Sequence, residues 1–139
     1  MNRTVVAPGQ PAAGSGFTYL LPESEVSQLY AVTFRLVTSA TVATRVPTVT
    51  VTDGTGTPLA VIAAGKTQVA SLTGDWTFAV GLGAWDAAST AVLSGGLPAL
   101  PLGAGDSIVV GVNAIDTTDQ LSRIRIVLLQ ESVRPDDGG

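Results

Sequence analysis

Two carboxylates three residues apart, with two arginines close behind, stand in the stretch NAIDTTDQLSRIRI at residues 113–126. Carboxylates such as Asp116 and Asp119 do acid–base work when they straddle a substrate and one of them is kept protonated by burial or by its neighbour's charge. Nothing in the flanking residues suggests a pocket or an aromatic platform for a sugar. The same short polar side chains close turns by bonding nearby backbone amides. Between two strand-like runs, Asp116 and Asp119 are read as a turn, with a bound cation as the other use for their oxygens.

The remaining candidates read in the same direction. TDGTGTP (52–58) has the Gly/Asp character of a calcium loop but lacks the further spaced acidic ligands. It is read as a hairpin turn at Asp53-Gly54. GLGAWDA (81–87) holds a fragment of a phosphate-loop glycine pattern without the Lys-Ser/Thr that makes such a loop work. Asp106, in LPLGAGDSIVV, is placed to bond turn amides. The chain has no cysteine and no histidine, which removes disulfides, thiolate nucleophiles, the usual proton shuttle and the commonest metal ligand. A Ser–Lys66 dyad is the one familiar nucleophile arrangement left, and Lys66 sits in AAGKTQ, which reads as an exposed loop. The expectation is no enzyme, no cofactor and no metal.

The elements that would carry these residues follow from patterning. A chain of 139 residues with 45% hydrophobic and 13% charged residues suits one domain with a real core. Its net charge is −4, and its seven basic residues form no stripe for a phosphate backbone, so no nucleic-acid partner is expected. No apolar run reaches the roughly 18 residues of a membrane span. The first residues lack the apolar core of a secretory signal, so the expectation is synthesis in a cytoplasm.

Residues 1–16, rich in Ala, Gly and Pro, read as an extended arm, loose or laid across a neighbour. Residues 17–132 form the domain, and residues 133–139 a short tail. In LYAVTFRLVT (29–38), Tyr30, Val32, Phe34 and Leu36 alternate with Ala31, Thr33, Arg35 and Val37, as in a half-buried strand. VPTVTVTD sets Val49 and Val51 against Thr48, Thr50 and Thr52, and PLAVIAA is the return strand. DWTFAVGL places Trp76, Phe78, Val80 and Leu82 on one face. A strand follows at about 106–113. The last, LSRIRIVLLQE, sets Ile124, Ile126 and Leu128 against Arg123, Arg125, Val127 and Leu129. Seven to nine short strands without a helix predict an all-β antiparallel β-sandwich or barrel. An eight-strand jelly roll is the preferred form, with an immunoglobulin-like sandwich not separable from it.

Candidate interface residues are Arg35, Arg45, Trp85, Arg123 and Arg125. The arginines could pair with an acidic partner, or could stand as strand charges that deter wrong edge pairing. Trp76 reads as core. Trp85, in a Gly/Ala/Asp loop, could anchor a partner, or with Tyr30 line a carbohydrate site.

Three stretches carry a resemblance: VTFRLVTSATVATRVPTVTVTDGTGTPL, WTFAVGLG and LPALPLGAGDSIVVGVNAIDTTDQLSRIRIVLLQE. Together they resemble small virion proteins of tailed bacteriophages over residues 29–131. The matching positions are Thr38, Ala40, Thr41, Val42, Ala43 and Arg45, then Asp53-Gly54, Leu97-Pro98, Gly105-Asp106, Asp119-Gln120 and Ser122. The resemblance implies a non-enzymatic capsid decoration protein located in the virion, expected to bind the outer shell through subunit contacts and its N-terminal arm. A neck or tail adaptor, collar or fibre protein is the alternative. It also implies the major capsid protein or other virion proteins as partners, and a homo-oligomer, with a trimer suited to three-fold positions.

Overall fold

The computed structural model describes residues 2–21, 25–64, 67–80, 92–97 and 101–132, and every regular element in them is a strand. In chain order these are β1 (Asn2–Val6), β2 (Phe17–Leu20), β3 (Glu25–Val37), β4 (Val46–Thr52), β5 (Pro58–Ala63), β6 (Thr73–Val80), β7 (Val92–Leu97), β8 (Pro101–Leu102), β9 (Ser107–Asn113) and β10 (Gln120–Ser132). One sheet runs β1-β10-β3-β6-β7, with β8 paired to the start of β3, and the other runs β2-β9-β4-β5.

Among the described residues, every strand pairing is antiparallel except β6 with β7. With β7 and β8 set aside, the pairs are nested: β1 with β10, β2 with β9, β3 with β6, and β4 with β5. Contacts of β10 with β3 and of β9 with β4 then roll this long hairpin into two layers. The result is an all-β sandwich of two antiparallel-dominated sheets.

Period-2 alternation explains why these segments are strands and why they stack. Val32, Phe34 and Leu36 of β3, Trp76 and Phe78 of β6, and Ile124, Ile126 and Leu128 of β10 point inward. They meet Val49 and Val51 of β4 and Ile108 and Val110 of β9. Burying such side chains contributes about 1.5–3 kcal/mol each. Phe78 stacks on Phe34 and on Trp76, with ring centroids 6.1 and 6.5 Å away.

Three expectations change. Tyr30 does not join the inward row of β3: it is 44% exposed, while Leu29 is buried. The register passes from Val127↔Ala31 to Leu128↔Leu29, so Tyr30 is an extra residue that switches the inward row by one. Second, residues 2–6 are not a loose arm but an edge strand on β10, with Val6 packed against the core. The sandwich therefore begins before residue 17. Pro11 and Gly14 of the following segment are pinned to the β9–β10 turn: Gln120 Nε2 donates to Pro11 O and Gly14 N to Asp119 O, both at 2.7 Å. Third, the described strands number ten rather than seven to nine. The tail at 133–139 lies outside the described residues.

Candidate functional site

Four connections, β1–β2, β3–β4, β5–β6 and β9–β10, gather at one end of the sandwich, and the two aspartates of the β9–β10 turn lie there. Asp119 N donates to Asp116 O at 3.0 Å, which closes the turn as expected. Asp116 accepts from the hydroxyl of Thr118 at 2.7 Å and of Ser39 at 2.9 Å. These hydroxyls, with the Thr118 amide, hold its carboxyl down at about 2.

Asp119 does more than close a turn. Arg45, which crosses over from the entrance of β4, donates from Nε to Asp119 Oδ2 at 2.9 Å and from Nη2 to Oδ1 at 3.1 Å. Both side chains are fully buried. The amides of Ser39 and Asp116, each at 2.8 Å, complete the carboxylate's shell. Burial pushes the Asp119 carboxyl up, but these donors outweigh it and hold it below the ordinary value. Neither aspartate is poised to carry a proton, and the arrangement joins the β3–β4 and β9–β10 connections.

Arg45 was expected among the interface residues, and its burial corrects that. Its charge is neutralised by Asp119, and Nη1 donates to Ala43 O at 2.9 Å. A buried guanidinium is tolerated on those terms, and it cannot reach a partner.

Beneath this pair lies Gln68, bridged through its backbone to Arg45. Its Nε2 donates to Leu36 O at 2.8 Å, and its Oε1 accepts from Trp76 Nε1 at 2.9 Å. Trp76 is thus a core residue whose one polar atom is satisfied. Gly74 makes room for this bond, since a Cβ there would strike Gln68 Oε1. Asp53 takes the hairpin form, its Oδ1 accepting from the amides of Thr55 and Thr57 at 2.9 Å. Asp106 Oδ2 accepts from Gly103 N at 2.9 Å. Among the described residues, no three His, Cys, Asp or Glu come together as a metal site. Trp85 and Lys66 lie outside the described residues.

The other three candidate arginines come together on the outer face of the first sheet. Ser122 pairs with Arg35 and Arg125 with Thr33, so β10 carries one extra residue between them, a β-bulge in which Arg123 has φ 52°. The bulge lets Leu121 and Ile124, three residues apart, both point inward, while Arg123 and Arg125 are exposed. A non-glycine residue at such a φ is strained by about 1–2 kcal/mol. Arg35 is forked onto Asp75 of β6, with Nε to Oδ1 at 2.9 Å and Nη2 to Oδ2 at 3.2 Å. Hydrogen bonding to Arg35, assisted by the charges of Arg35 and Arg123, holds the Asp75 carboxyl below its ordinary value.

A groove of about 250 Å³ runs beside this pair, lined by Arg123, Arg125, Thr33, Thr77 and Asp75 together with Phe34 and Trp76. Two guanidiniums and two hydroxyls can hold a carboxylate or another small oxyanion there. The outer face of the second sheet is unlike it. Thr48, Thr50 and Thr52, with Val109, Val61 and Leu59, carry no charge, and Val61 is 63% exposed.

Reading by sequence missed Gln68, Asp75 and the pairing of Arg45 with Asp119. Asp75 stands opposite Arg35 in the β3–β6 register, a relation invisible before the strands are paired. No local signal links Arg45 to Asp119.

By fold, the chain belongs to the all-β sandwiches of two antiparallel-dominated sheets. No family model matches it, nor does any curated protein or solved structure.

Proposed function

We propose that this chain is a non-enzymatic structural subunit of a tailed-phage particle, a capsid decoration protein that holds the outer shell through subunit contacts. The supporting observation is an all-β sandwich of nested strand pairs, which we read as a jelly roll, whose two outer faces differ in chemistry among the described residues, one bearing arginines and the other uncharged. Jelly rolls recur in viral capsid domains, and two distinct faces suit a subunit that must contact both the shell and its own copies. Among the described residues, the buried polar groups at the loop end are engaged in holding connections together. The phage assignment itself rests on the resemblance over residues 29–131. A position at the neck or tail of the same particle is the variant of this reading.

The test is to purify particles, detect this chain in them and locate it by imaging. Density for a sandwich on the outer shell is the expected result, and absence of the chain from particles ends the reading. Removing residues 1–6 should leave particle binding intact if β1 serves only its own sheet. Loss of binding by the folded variant would return the N-terminal segment to the mechanism. Jelly rolls also host lectin sites, and Tyr30 is exposed. A glycan-array signal abolished by Tyr30→Ala would favour a carbohydrate-binding module instead.

A further inference from the structure

We propose that the groove on the outer face of the first sheet is a dock for a carboxylate, where Arg123 and Arg125, with the hydroxyls of Thr33 and Thr77, take an Asp or Glu side chain from the acidic surface of a protein partner. The inference deepens the structural-subunit reading by naming the surface that docks, and its test is separable from that reading.

Charge placement is the first support. The chain has net charge −4 and seven basic residues, yet Arg3, Arg35, Arg123 and Arg125 all lie on this one face. The described side chains there include a single carboxylate, Asp75, and Arg35 occupies both of its oxygens. Arg123 and Arg125 have no carboxylate bonded to them among the described residues. The complement of such a face is acidic.

Size bounds the occupant. At about 250 Å³ the groove lies below the range of about 300–1,000 Å³ typical of small-molecule pockets. An Asp or Glu side chain fits within it. The acidic remainder of the chain repels an extended polyanion, which favours a discrete protein carboxylate over nucleic acid.

Backbone geometry is the third support. The bulge places a residue with φ 52° on the groove wall, and that residue is arginine where glycine would be unstrained.

The experiment compares the full chain with an Arg123→Gly, Arg125→Thr double variant. Binding to a glutamate-rich peptide, to its glutamine counterpart and to a DNA duplex is followed by fluorescence anisotropy at low and high salt. The expected result is binding of the glutamate peptide alone, weakened by salt and about tenfold or more weaker in the double variant. Equal affinity for the two peptides, unchanged affinity in the variant, or tighter binding of DNA would each overturn the dock. If the double variant does not fold, Arg125→Thr alone, at an exposed strand position, is read in its place. Particle binding separates the two proposals. A variant that stays on particles removes the dock and leaves the subunit reading intact. Peptide binding through Arg123 and Arg125 by a chain absent from particles does the reverse.

Discussion

Arg45 and Asp119, separated by 74 residues, meet in a two-pronged ion pair with neither side chain exposed to solvent. The pair ties the entrance of β4 to the turn before β10, and through Ser39 it holds the end of β3 as well.

Removing one partner leaves the other charge buried and alone. Arg45→Met and Asp119→Asn should therefore each lower stability by about 3–5 kcal/mol, read from urea unfolding midpoints. The Arg45→Met, Asp119→Leu double variant should lose clearly less than the sum of the single effects. It should not recover fully, because the amides of Ser39 and Asp116 lose their acceptor. A loss under 1 kcal/mol in both single variants would show that the pair is dispensable.

Acid should be the pH limit of this fold. The carboxyls of Asp53, Asp75 and Asp119 are held below their ordinary value, and that of Asp116 lies at about 2. Unfolded aspartate titrates near about 3.9. A depressed folded value means that the stabilisation is fully present above the unfolded value and is lost as pH falls toward the folded one. Unfolding midpoints should stay level from about pH 8 to about pH 5, where no histidine titrates. They should then fall between about pH 4 and about pH 2. A decline already complete at about pH 5 would contradict this assignment.

Gln68 joins the loop end to the core through Trp76 Nε1, and Gly74 leaves space for it. Gln68→Leu should cost about 1–3 kcal/mol by leaving the indole N–H unpaired. Gly74→Ala should cost about 1–3 kcal/mol by overpacking against the amide. Thermal melts check both, and a neutral Gly74→Ala would mean that Gln68 can shift without loss.

The bulge at Arg123 makes a discriminating prediction about backbone strain. Arg123→Gly should leave stability within about 1 kcal/mol, with strain relief set against the entropy of glycine. Arg123→Val should lower it by about 1–2 kcal/mol, because a β-branched residue resists positive φ. Arg125→Val, at an ordinary strand position, should stay within about 0.5 kcal/mol. Equal melting temperatures for Arg123→Val and Arg125→Val would argue against the bulge.

Much of the architecture could be read residue by residue, because alternation is a local property. Phe34, Trp76, Val49 and Ile126 announced which way they face, and Asp53 and Asp106 announced turns, from their neighbours alone. Tyr30 escaped that logic. Its place in the alternation pointed inward, and only the register of β10 against β3 shows the extra residue that turns it out. The arginines escaped it for the same reason: Arg35, Arg45, Arg123 and Arg125 look alike on a strand, yet one is sealed in the core and three share an exposed face.

The amino-acid sequence by itself determined the helix-free class, the inward rows of the main strands and the chemistry unavailable to a chain without cysteine or histidine. Those follow from side-chain type and from spacing over a few residues. Tertiary structure alone decided that β1 closes the first sheet, that Asp119 finds Arg45, and that Arg123 and Arg125 border a groove beside Asp75. Each of these joins residues far apart along the chain, and such partners are selected only when the strands pair and the two layers close.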